Sequence, residues 1–79
     1  MKAIEFKEQN VVFAENQPEY LSLPAFKSEE GDVVTCWELS DEEIEKIKET
    51  KNIFLAIKTF NHPLQPIFIT VDRKELFTD

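Results

Sequence analysis

Residues 39 to 60 read Leu39-Ser40-Asp41-Glu42-Glu43-Ile44-Glu45-Lys46-Ile47-Lys48-Glu49-Thr50-Lys51-Asn52-Ile53-Phe54-Leu55-Ala56-Ile57-Lys58-Thr59-Phe60, and their apolar spacing changes from helical to extended on the way. Ser40 and Glu43 match the S-x-x-E capping box, in which each side chain satisfies the other residue's orphan N–H. Leu39 and Ile44 stand at the N′ and N4 positions of a hydrophobic staple. Asp41, Glu42 and Glu43 put negative charge at the positive end of the helix dipole, and Lys48 and Lys51 put positive charge at the other. The spacing predicts a helix over about 41–51, with Asn52 as its left-handed C-terminal cap. A helix of roughly ten residues is marginal alone in water. Its narrow stripe of Ile44 and Ile47 therefore calls for a sheet to dock on. Ile53 to Phe60 then reads as the strongest strand. Ile53, Leu55 and Ile57 line one face; Phe54, Ala56 and Phe60 make the other apolar too, broken by Lys58.

Working outward, Asn61 to Pro66 reads as a connecting loop and Ile67 to Val71 as a final strand. The two strands are expected to form an antiparallel hairpin. Asp72 to Asp79 is charged and expected to fray, with Leu76 and Phe77 able to tuck back. On the N-terminal side, Val33 to Leu39 reads as one strand with Val33, Thr35, Trp37 and Leu39 on one face. Ser28-Glu29-Glu30-Gly31-Asp32 is a turn in which Gly31 supplies positive φ. Tyr20 to Phe26 is extended and is expected to pair with Val33 to Leu39. Pro24 marks it as an edge strand or a bulge, since it has no N–H for a ladder. Val11 to Phe13 and the segment around Ile4 and Phe6 are shorter strand signals; Glu8 to Asn10 and Glu15 to Pro18 are polar connections. Strands, one helix, then a hairpin read as a single α+β domain over residues 1–79: a small antiparallel sheet with the helix packed on a face. One helix cannot cover both faces. The face carrying Phe54, Phe60 and Phe68 implies either a curled sheet or an interface.

The chain has 79 residues, a length that fits one domain, and 42% of them are apolar, including seven Phe. Sixteen acids against nine bases leave a formal charge of −7, which repels nucleic-acid phosphates and anionic lipid. Cys36 is the lone cysteine, so no intrachain disulfide argues for secretion. No signal-like leader and no apolar run long enough for a membrane span is present. A cytoplasmic protein that binds neither nucleic acid nor membrane is the expectation.

Catalytic, metal and cofactor chemistry finds little support. Gly31 is the single glycine, so no glycine-rich phosphate loop exists. His62 is the single histidine, and a metal site needs three or four convergent ligands. Cys36 beside Glu38 lacks the cationic neighbour that activates a thiol. Glu29, Glu30 and Asp32 lack the regular oxygen spacing of a calcium loop. Ser40 is explained by capping. The aromatic residues carry more. Tyr20, Trp37 and Phe60 lie near segment ends, where rings are half exposed, and such rings dominate interface hot spots. Pro63 and Pro66 stiffen the loop that presents His62 and Gln65. Tyr20, Trp37, Phe60, His62 and Gln65 are the candidate binding residues.

Three motifs stand in order: Glu19-Tyr20-Leu21-Ser22-Leu23-Pro24-Ala25, Cys36-Trp37-Glu38-Leu39-Ser40, and Thr59-Phe60-Asn61-His62-Pro63-Leu64-Gln65-Pro66. Together they resemble the E-Y-L-P-L-P-A, C-W-x-L-[ST] and T-F-x-x-P-L-Q-P pattern of a family of small uncharacterised proteins of tailed phages and prophages, over about residues 18 to 71. Ser22 departs from the pattern's proline. The resemblance implies a phage-linked, intracellular setting and no particular reaction. The function expected is a non-enzymatic protein-interaction module of that type, with self-association as one form of it. The alternative is a small-molecule sequestering protein with a pocket at a subunit interface. There Tyr20 and Trp37 would stack a planar ligand that His62 and Gln65 hydrogen-bond. An enzyme ranks last.

Overall fold

The computed structural model describes residues 1–16 and 21–77. They form an α+β fold: two small antiparallel sheets and one α-helix. The strands are β1 (Lys2–Ile4), β2 (Val11–Phe13), β3 (Leu23–Lys27), β4 (Val33–Val34) and β5 (Cys36–Glu38). They are followed by α1 (Asp41–Thr50) and a short 3-10 turn at Arg73–Glu75. One sheet has the order β2-β3-β4 and the other is the pair β1-β5.

The stretch read as one strand, Val33 to Leu39, is two. Val33 and Val34 pair with Lys27 and Phe26 of β3, whereas Cys36, Trp37 and Glu38 pair with Ile4, Ala3 and Lys2 of β1. Thr35 is the switch between sheets, and its hydroxyl accepts a 2.8 Å hydrogen bond from the Trp37 indole N–H. Alternation along a strand says which face a side chain takes; it does not say to which sheet the backbone belongs. The β3–β4 hairpin forms at the expected turn, with pairing limited to Phe26 and Lys27 against Val34 and Val33. At its tip Gly31 sits at φ 96°, its N–H donating to the Ser28 carbonyl at 3.1 Å while the Ser28 hydroxyl accepts from Asp32 N–H at 2.9 Å. Pro24 lies in a strand with neighbours on both sides, opposite Val12 of β2. Since β4 reaches only Phe26 and Lys27, one flank of β3 is open at Pro24, and there a missing N–H is tolerated. Asn10 extends the same sheet, its amide donating to the Lys27 carbonyl at 3.0 Å and accepting from Lys27 N–H at 2.8 Å.

The start of α1 forms as its sequence demands. The Ser40 hydroxyl accepts from Glu43 N–H at 3.2 Å, and a Glu43 carboxylate oxygen accepts from Ser40 N–H at 2.8 Å. The other Glu43 oxygen accepts from the Met1 ammonium at 2.6 Å, tying the helix to the strand beside it. That ammonium bond first, and the Ser40 N–H second, hold the Glu43 carboxyl below its ordinary value of 4.5. The helix end differs from expectation. Lys51, not Asn52, is the left-handed cap, at φ 59°, with its N–H on the Ile47 carbonyl at 2.7 Å. Thr50 decides this: its hydroxyl donates to the Lys46 carbonyl at 3.0 Å and accepts from Asn52 N–H at 3.2 Å, which holds Asn52 outside the helix. No residue of α1 is fully buried, and Ile44 stays 40% exposed.

The largest departure concerns Ile53 to Phe60 and Ile67 to Val71. Neither is a paired strand, so the expected antiparallel ladder between them is absent among the described residues. Lys51 to Thr59 and Pro63 to Thr70 pass without a bend. Between them is a tight turn at 59–62, earlier than the expected loop at 61–66. Phe60 and Asn61 both have positive φ (55° and 65°), and His62 N–H donates to the Thr59 carbonyl at 3.0 Å, the signature of a type I′ turn. Pro66 in the returning segment lacks the N–H that a continuous ladder would use. Residues 52–71 thus form an arm. Of the segment expected to fray, residues 72–77 are described and held against the body, with Phe77 tucked back as expected, while 78 and 79 lie outside the described residues. The Phe77 ring packs edge-on to Phe26 of β3 (centroids 5.2 Å apart, planes at 81°), and Arg73 lies 3.3 Å from a largely covered Glu8 carboxylate.

Two predictions concern α1. Replacing Lys51 by Gly relieves a left-handed side chain and is expected to raise stability by about 0.5–1 kcal/mol. Ser40→Ala is expected to lower it by about 1 kcal/mol. Urea midpoints at fixed protein concentration check both. A third prediction, at Glu43, is a pH dependence. Because the folded carboxyl value of Glu43 is lowered, its contribution is present in full above 4.5 and is lost as pH falls through the lowered value. Gln at position 43 keeps an acceptor for the Ser40 N–H but has no charge. The gap in urea midpoint between the natural chain and Glu43→Gln is therefore expected above pH 4.5 and should close in acid.

Candidate functional site

Folding distributes the candidate binding residues over two places. Trp37 lies on β5, 47% exposed, and with Met1, Ala3, Leu21 and Leu23 lines a largely apolar groove of about 460 Å³. Phe60 and His62 belong to the tight turn of the arm, and Gln65 to its returning segment; all three are exposed and none lines that groove. Tyr20 lies outside the described residues. The set therefore does not converge on one pocket within the described chain. Cys36 is half-buried in β5 opposite Ile4. Among the described residues no three His, Cys, Asp or Glu side chains come together in a way that could hold a metal ion. No described helix is long and apolar enough to cross a membrane.

The arm is the conspicuous surface. Phe54 is 94% exposed, Phe60 75% and Phe68 63%, and Ile53, Leu55, Ile57, Leu64, Ile67, Ile69 and Val71 are all exposed beside them. On a folded monomer large apolar side chains of this kind are covered. Both faces are affected, so no rotation of the arm would hide them. Among the described residues, the backbone N–H and C=O groups of 53–58 and 67–71 make no hydrogen bond. The Lys58 ammonium stands 5.8 Å from the Phe60 ring centroid. Where the arm leaves α1, a second groove of about 320 Å³ opens, lined in part by Met1, Ile47, Ile53 and Phe54. Ile47 of the helix stripe and the first apolar residues of the arm thus line one groove.

The charge pattern isolates this surface. Residues 52–71 contain no Asp or Glu and a single formal charge, Lys58, although the whole chain carries −7. That acid-free run is a sequence signal for the arm, and reading the segment as a self-paired hairpin hides it. The groove residues Met1, Leu21 and Leu23 had no comparable signal. They come together only when β1, β3 and β5 are placed. In comparisons with known proteins, no family model, no curated protein and no solved structure matches this chain.

Proposed function

We propose that this chain is a non-enzymatic protein-interaction module of the phage or prophage type its motifs resemble, acting in the cytoplasm, and that the arm of residues 52–71 is its contact surface. What supports the reading is the exposure of the arm's apolar side chains on both faces, combined with backbone groups that have no partner in the described chain. An extended segment of that kind is the material of strand addition, in which main-chain bonds give affinity and alternate side chains give specificity. Phe54, Phe60 and Phe68 are its anchors. The formal charge of −7 argues against nucleic acid as the partner. A photoreactive phenylalanine analogue placed at position 60 or 68 of the chain expressed in cells tests this. Illumination is expected to give discrete protein adducts, while the same analogue at the exposed Glu49 gives none. Absence of protein adducts from both arm positions would sink the reading.

A second reading, the sequestering of a small planar molecule, is favoured by the groove beside Trp37. Its volume of about 460 Å³ falls within the range of ligand pockets, and the indole is available for stacking. In this reading a neighbouring subunit contributes His62 and Gln65. Thermal-shift measurements with nucleosides and aromatic metabolites are expected to raise Tm for the natural chain and not for Trp37→Ala. No stabilisation across such a panel removes this reading.

A further inference from the structure

The size of the uncovered surface bears on which protein covers it. A compact chain of 9.3 kDa exposes about 5,000 Å². This chain exposes 7457 Å², an excess of roughly 2,500 Å² over that expectation. On the same scaling it buries about 45% of its unfolded surface, where a chain this small normally buries about 60%. Ala25 is the one fully buried apolar residue among those described. The radius of gyration is 14.2 Å, against about 11.6 Å for a compact chain of this length. Over two copies the excess is roughly 5,000 Å², the upper end of what obligate homodimers bury, about 2,000–5,000 Å² in total over both partners. A transient contact on an otherwise complete domain would leave no such deficit in the core.

Charge and backbone chemistry narrow the partner. A segment that adds a strand here must be apolar on both faces, must leave its own main chain unpaired, and must not bring acids onto neutral ground. The arm of a second copy meets every condition: it is acid-free, apolar on both faces and unpaired. It is also always present at equal concentration. Resting on the interaction reading above, we infer that the partner is a second copy of this chain, joined arm to arm about a two-fold axis. Antiparallel pairing of 53–58 and 67–71 between the copies completes a sheet that neither makes alone. The contact is isologous, so each arm meets the same surface it presents. Ile47 of α1, which lines the groove at the arm's base, is covered in the same step.

The test uses the purified full chain. Light scattering over a dilution series is expected to give the mass of two chains, twice 9.3 kDa. Hydrogen exchange is expected to show amides 53–58 and 67–71 protected in that species and unprotected once dilution separates the copies. Ala56→Pro is the decisive variant. The Ala56 N–H makes no bond within the described chain, so its loss leaves the body's pairing intact, yet it interrupts strand pairing in both copies. The dimer is expected to weaken at least about a hundredfold, with exchange in β3 of the residual dimer unchanged. A single-chain mass at all concentrations, a polydisperse series with no discrete species, or an Ala56→Pro dimer of unaltered affinity would each overturn the inference. If the mass is that of one chain while arm adducts form on a different protein, self-pairing fails and the interaction reading stands. If no adducts form either, both fail.

Discussion

An amide removed from water without a partner costs free energy comparable to a lost hydrogen bond, and this constraint governs the molecule. The arm places it in conflict with hydrophobic burial. Its side chains ask to leave water, and its main chain can follow only if each N–H and C=O finds a new partner. Within the described chain the arm resolves this by staying in water, leaving Phe54 94% exposed. The rest of the architecture is arranged around that outcome. The arm is fastened at both ends, by the left-handed Lys51 cap and by Arg73 and Phe77 on the body. It is a held excursion between two anchors and is unlike a frayed terminus.

The parts of the fold legible in the sequence are those set by neighbours within a few residues. The capping box needs only Ser40 and Glu43; the hairpin tip needs only Ser28, Gly31 and Asp32. Both are read correctly because local hydrogen bonding is complete at that range. The failures are non-local. Strict alternation through Val33–Leu39 hides a change of sheet at Thr35, because side-chain period carries no information about the backbone's partner. Strand character in Ile53–Ile57 reports a demand for burial, and a ladder with Ile67–Val71 was the nearest local way to meet it. The demand was legible; the partner was not. The same holds for the candidate site. Trp37, Phe60, His62 and Gln65 are all exposed, yet nothing in their spacing separates the groove from the arm.

The charge distribution keeps so much apolar surface selective. The carboxylates lie on the body and tail, where those of two copies repel at the short range that physiological salt allows, about 8 Å. The arm, the longest acid-free run of the chain, offers approach without that penalty, since Lys58 is its only formal charge. Uniform acidity would keep the copies apart, and a neutral body would let them collapse in any orientation. In the proposed dimer, keeping acid off the arm favours arm-to-arm contact, a specificity device of the kind seen at natural sheet edges.

The turn at the arm's tip supplies an independent argument. A type I′ turn asks for Asn or Gly at both central positions, and here Phe60 takes the first at φ 55°. A left-handed aromatic residue costs on the order of 1–2 kcal/mol and persists only where its surroundings over-determine it. Phe60 is 75% exposed, and the Lys58 ammonium stands 5.8 Å from its ring. That contact is too weak at an exposed site, about 0.5–1 kcal/mol, to offset the strain. A hairpin ladder would normally hold such a turn in place, and the two segments leaving it make none. The strain at Phe60 and the unpaired amides of 53–58 are therefore one deficit seen twice. In the proposed pairing, an external strand satisfies the amides and holds the two segments that flank the turn, which offsets the strain at Phe60.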